Sequence, residues 1–172
     1  DASGRKLREW LEVDESVFYD ARRFAILPMG LCYPGRGRSG DLPPRPECAP
    51  LWHERILSSM PQIRLTILIG QYALAKYLGG SGNATVTETV AAWKSHAPEF
   101  ITLPHPSPRN QNWLKQNPWF DTEIVPMLRQ RVADALAEPA ILAAAAMRLM
   151  CSGVVPQHPP TSLTPSLNMR RA

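Results

Sequence analysis

The run Leu65-Thr66-Ile67-Leu68-Ile69, closed by Gly70, constrains the fold more than any other stretch of this sequence. It is short, continuous and β-branched. A strand with one wet face alternates polar and apolar side chains; this one does not, so it belongs in a sheet covered on both faces. Residues 24–27 and 100–103 form two further short apolar runs. Helical patterns lie before, between and after the three. Residues 3–12 carry Leu7, Trp10 and Leu11 at helical spacing, with Asp1 or Ser3 as N-cap. A second short helix follows Asp14. Residues 47–60 put Leu51, Trp52, Ile56 and Leu57 on one face, and Pro61 ends them. Residues 71–78, residues 87–95 under a Thr87 cap, and residues 110–116 are further helices. A last long helix begins near Pro118 and carries Phe120, Ile124, Val125, Leu128 and Val132.

Helix and strand therefore alternate, which predicts an α/β domain: a parallel sheet with helices on both faces. Three strands make a thin sheet, and one more strand at the N-terminal side would complete it. Ligands in such folds bind beyond the carboxyl ends of the strands. The segments leaving those ends are residues 28–45, the Gly70-Gln71 turn and residues 104–110.

Composition narrows the class. Hydrophobic residues at 44% and charged residues at 20% are globular values, which exclude a wholly disordered chain or a coiled coil. No apolar run reaches the ~18 residues of a membrane helix, and the N-terminus shows no apolar signal segment. The predicted location is the cytoplasm, as a monomer without membrane contact. A net charge of +4 and a pI near 9.2 suit a polyanionic partner. The charge is unevenly spread. Residues 21–40 hold Arg22, Arg23, Arg36 and Arg38 and no acid; residues 101–120 hold Arg109 and Lys115 and no acid. Both stretches also read as solvated loops. Residues 1–138 are predicted to form the domain. Residues 139–172 are predicted to be an Ala-rich helix and a Pro/Ser/Thr-rich tail, too poor in packing residues to join a core.

Two segments carry chemistry. In Leu103-Pro104-His105-Pro106-Ser107-Pro108-Arg109-Asn110, three prolines fix the backbone around one His and one Ser, just past a strand. A His held there can donate to a developing anion. Ser107 and the turn amides can hold a phosphate. A structural turn with a packing His fits the same pattern. The second segment runs from Cys32 to Cys48, with fifteen residues between them, among them Gly35, Gly37, Gly40, Arg36, Arg38 and Arg45. Two free thiols, a disulfide, or half of a metal or cluster site all suit that spacing. A four-ligand site needs two more donors, which His53 and Cys151 do not obviously supply. Cys151 reads as an incidental thiol.

The His-Pro-Ser segment after the third strand, the Cys-x15-Cys loop after an earlier one, and Ile67-Leu68-Ile69-Gly70-Gln71-Tyr72-Ala73 together resemble the uracil-DNA glycosylase superfamily. The resemblance covers about residues 1–132 and is closest to the bacterial iron–sulfur branch. It implies a three-layer α/β/α sandwich around a short, four-stranded parallel sheet. It also implies a DNA-repair hydrolase that flips uracil or another deaminated base out of DNA and cleaves its N-glycosidic bond with water. By this resemblance His105 is catalytic, hydrogen-bonding uracil O2 and stabilising the leaving anion. Pro106 and Ser107 grip the DNA backbone, and Arg109 takes the wedge position. Asn110 and the loop arginines Arg36 and Arg38 also face DNA. Cys32 and Cys48 match the second pair of the four cysteines that hold a structural 4Fe–4S cluster. The family's first motif, which carries the water-activating residue, and its first cysteine pair fall upstream of Ser3. The chain is accordingly expected to lack the first strand and to be inactive on uracil-DNA by itself. Pro28 stands where the family often has an Asn that reads uracil. The alternative is a non-catalytic nucleic-acid-binding module on the same fold.

Overall fold

The computed structural model describes residues 1–38, 40–79, 84–137 and 147–151. In chain order it runs α1 (Ala2–Leu11), α2 (Glu15–Phe18), β1 (Phe24–Pro28), the small hairpin β2 (Arg36–Gly37) and β3 (Gly40–Asp41), then α3 (Cys48–Ser58). There follow β4 (Thr66–Ile69), α4 (Gln71–Tyr77), α5 (Val86–Ala91), α6 (Trp93–His96) and β5 (Phe100–Leu103). A 3-10 turn (Pro108–Asn110) leads into α7 (Gln111–Gln116), a π-helical turn (Phe120–Ile124) into α8 (Val125–Ala137), and β6 (Met147–Cys151) completes the described chain.

The main sheet is parallel throughout, in the order β1-β6-β4-β5. Every side chain of β4 is buried, with Ile67, Leu68 and Ile69 fully enclosed. Successive strand residues point to opposite faces, so both faces are covered. Helices surround the sheet, giving the expected α/β sandwich. Asp1 caps α1 by accepting the Gly4 N–H at 2.6 Å. That helix turns Leu7, Trp10 and Leu11 inward onto α8, and the Trp10 ring meets Phe120 edge-on at 4.9 Å. Arg129 of α8 donates to the carbonyls of Glu9 (3.1 Å) and Trp10 (3.4 Å) in the last turn of α1, where the Glu9 carbonyl also accepts the Glu12 N–H at 3.4 Å.

Strand β6 corrects the expected domain boundary. The sequence reading ends the domain at residue 138 and assigns an Ala-rich helix to the stretch that reaches Met147. Instead, Met147–Cys151 is an inner strand, paired with β1 on one side and β4 on the other, with Leu149 and Met150 fully buried. The sheet expected to be one strand short therefore has four. Nothing local marks this run, because Met147-Arg148-Leu149-Met150-Cys151 has no β-branched residue. Its reason is tertiary: it pairs the edges of β1 and β4 that would otherwise face each other unbonded. Residues 140–146 of the expected helix over residues 140–147, and the tail from residue 152, lie outside the described residues.

Helix α3 also differs from expectation. It buries Ala49 and His53, while Leu51 and Trp52 are 63% and 44% exposed. The inward stripe contains a histidine, which an apolar pattern scores as polar. The β1–α3 segment, expected to be all loop, contains the β2–β3 hairpin.

The four strands end level with one another. Pro28 is in register with Cys151, Cys151 with Ile69, and Ile69 with Leu103. The segments that follow them share one edge of the sheet.

Candidate active site

The turn leaving β5 is built almost entirely from its own residues. Pro104 and Pro106 are buried and Pro108 is exposed, so the chain is anchored on alternate residues while His105 and Ser107 stay half-buried between them. Ser107 caps the 3-10 turn, its Oγ accepting the Arg109 N–H at 3.3 Å and its carbonyl the Asn110 N–H at 2.9 Å. The Asn110 side chain reaches back and donates to the His105 carbonyl at 2.7 Å. The main chain at His105 is thus held from both sides. Beside it, the Gly70 N–H donates to the Leu103 carbonyl at 2.9 Å, extending the ladder one residue past the strand. Gly70 does so with φ 79, a conformation for which glycine is suited.

His105 lines two cavities. One, of about 380 Å³, is walled by Gly70, Gln71, Tyr72, Thr87, Asn110 and Trp113. The other, of about 460 Å³, lies between α1, α7 and Pro106-Ser107. A helix cap decides part of the first wall. Thr85, not Thr87, caps α5: its hydroxyl accepts the Glu88 N–H at 3.2 Å, and Glu88 accepts the Thr85 N–H at 2.7 Å. That reciprocal pair holds the Glu88 carboxyl below its ordinary pKa, chiefly through the Thr85 backbone N–H. Thr87 is left to accept the Trp113 indole N–H at 2.7 Å, which fixes the ring on the cavity wall.

The β2–β3 hairpin lies against this turn. Gly40 has φ 139, and a Cβ there would sit 2.5 Å from Nη1 of Arg109 and 3.2 Å from its Cζ. The Arg109 guanidinium therefore packs on the bare Gly40 backbone. The structure thereby brings Arg36 and Arg38, both exposed on the hairpin, next to the His105–Asn110 turn. Not every arginine of the acid-free stretch joins them. Arg22 and Arg23 close on Asp20, at 2.9 and 3.6 Å, and hydrogen bonding from Arg22 lowers the Asp20 pKa to about 2. That acid stands one residue before the stretch begins.

Pro28 ends β1. It offers no side-chain donor, but its carbonyl lies 3.0 Å from Nε2 of the buried His53, whose Nδ1 lies 2.5 Å from the Tyr77 hydroxyl. The donor to a carbonyl must be N–H, so Nε2 carries the proton and Nδ1 accepts from Tyr77. From sequence, His53 reads only as a metal ligand without companions. Its use as a tie between α3, α4 and β1 has no local signal.

The residues match a known family. The family model of the uracil DNA glycosylase superfamily covers residues 1–129, from α1 into α8. The chain belongs to this superfamily. It is a family of DNA glycosylases acting in DNA repair, which supports DNA as a partner. Its matched region contains every site residue predicted from sequence and stops before β6. For the iron–sulfur type, the sequence matched Cys32 and Cys48 to two of four cysteines. Cys32 is exposed, Cys48 is half-buried, neither is in a disulfide, and no group of three or more His, Cys, Asp or Glu gathers into a metal site among the described residues. Two cysteines by themselves do not complete the four-cysteine set of a 4Fe–4S cluster. No helix among the described residues is long and apolar enough to cross a membrane.

Proposed function

We propose that this glycosylase-superfamily protein excises a deaminated base, uracil first, from DNA. The observation that carries this reading is His105, held by its own turn on the wall common to two cavities at the carboxyl edge of the sheet. A base turned out of the duplex needs an enclosed site, and its backbone needs a second one alongside. As the N-glycosidic bond breaks, the bonding electrons pass to the base, which leaves as an anion. Water supplies the new bond to the sugar carbon. His105 donates to the oxygen on which that charge gathers, and because its main chain is already fixed, little reorganisation accompanies the step. Ser107 and Pro106 hold the strand, Arg109 stands at the wedge, and Asn110, Arg36 and Arg38 complete the DNA-facing set. Cys32 and Cys48 supply two of the cluster ligands, and no step passes through a cluster. Iron content and thiolate-to-iron absorbance of full-length protein purified without air test that part.

The activity test uses full-length protein and an oligonucleotide with one uracil. Base release is expected, with a loss of about 10²–10³-fold on His105→Ala, the usual cost of removing one donor to a developing anion. Absence of release of uracil, hypoxanthine and xanthine alike would overturn the reading. Salt-sensitive DNA binding without release would then leave the non-catalytic binding module, which Pro28 favours by lacking a base-reading side chain.

A further inference from the structure

We infer that the groove between α1 and α7 is a seat for a backbone phosphate of the bound strand, with Arg5, Lys6 and Lys115 as its cations. The inference deepens the proposed DNA reading by assigning residues that neither the sequence motifs nor that reading had used. The groove, of about 460 Å³, is lined by Arg5 and Lys6 from α1, Lys115 from α7, and His105 and Ser107 from the turn between them. Three cations face one carboxylate, Glu9, which pairs with Lys6 at 2.9 Å. Arg5 and Lys115 are exposed. The groove is floored by Trp10, which is 2% exposed. An anion of phosphate type answers the cation excess, beside the Ser107 hydroxyl on the groove wall.

The groove and the smaller cavity meet at His105, so a nucleotide turned out at that point would leave its base on one side of the imidazole and its phosphate on the other. A groove that reads only phosphate carries no sequence or damage preference. It sets register and affinity for any strand.

The test measures binding of labelled duplex, with and without a single uracil, over a range of salt concentrations. Arg5→Gln/Lys115→Gln should lower the slope of log affinity against log salt by about 2, one for each cation withdrawn from the phosphates, and weaken both duplexes equally. Lys115→Glu alone, at an exposed position of α7, should weaken both duplexes in the same way. Lys94→Gln, an exposed charge that lines neither cavity, should change nothing. An unchanged slope in the double variant, or a loss no greater than that of Lys94→Gln, overturns the inference. If wild-type protein releases uracil and the double variant binds normally, the groove fails and the glycosylase reading stands. If wild type binds without release and the slope still falls, the groove stands and the glycosylase reading fails.

Discussion

The turn that leaves β5 is ordered by its own residues, whereas the loop that leaves β1 is ordered by distant parts of the chain. In the first, two buried prolines, the Ser107 cap and the Asn110-to-His105 bond all act within seven residues, 104–110. In the second, Pro28 is tied at its base by His53 of α3, and the hairpin tip rests on Arg109. Between those points the hydrogen bonds from Tyr33 to Asp41 (3.0 Å) and from the Leu42 N–H to the Gly35 carbonyl (2.9 Å) close it. Leu31, Tyr33 and Leu42 stay exposed. The two regions present different chemistry. A group that meets a developing charge must be held before the reaction begins. Arginines that meet a phosphate chain act at longer range and tolerate movement.

The largest effect is expected where the second region depends on one buried side chain. His53→Ala removes the imidazole's bonds to the Tyr77 hydroxyl and the Pro28 carbonyl, and leaves a void at a site 3% exposed. The loss should be about 3 kcal/mol, combining lost hydrogen bonds with a cavity. For a chain of this length that is a fall in Tm of about 6–12 °C. Trypsin should then cut faster at Arg36 and Arg38 while the bond after Arg109 keeps its protection. A Tm within about 2 °C of wild type would show that the loop does not hang on this contact.

Asn110→Ala is the mirror experiment. It removes the donor to the His105 carbonyl and should cost about 1–2 kcal/mol, since the residue is half-buried and water can partly replace it. Here protease sensitivity should rise after Arg109 and stay unchanged at Arg36 and Arg38. In the base-release assay kcat should drop about 10-fold with KM nearly constant, because the turn holds the imidazole and not the base. A raised KM with kcat little changed would assign Asn110 to substrate contact instead of positioning.

The contrast between the two regions also governs what is legible in the sequence. Residues 24–27, 65–69 and 100–103 all become strands, because a continuous apolar run needs only its own side chains to declare itself. The Pro104–Asn110 turn is legible for the same reason: proline and a following serine fix the backbone locally. The Asp1 cap is legible too, but the cap expected at Thr87 belongs to Thr85; the Thr85-x-x-Glu88 spacing is the signal that settles it. Strand β6 has no such signal. Its sequence fits a helix, and only the gap between β1 and β4 makes it a strand. The same holds for His53 and for Gly40 against Arg109, whose partners lie far along the chain. Lys115 is visible as charge, but its groove with Arg5 and Lys6 exists only once the fold brings α1 and α7 to the same cavity.

The smallest expected effect tests whether the two regions are coupled at all. Gly40→Ala puts a Cβ 2.5 Å from Arg109 Nη1, and it does so at φ 139, where an L side chain is strained. The guanidinium is the free end of a flexible side chain and can swing aside, so the backbone strain should dominate, at about 1 kcal/mol. The contact can be isolated by repeating the substitution in Arg109→Ala, where the strain remains and the clash is gone. A coupling of about 0.5 kcal/mol or more between the two positions is expected if the hairpin rests on Arg109, because residues in contact do not add. Additivity within about 0.3 kcal/mol would mean that the loop and the turn are ordered independently. Arg36 and Arg38 would then have no positional reference from the His105–Asn110 turn.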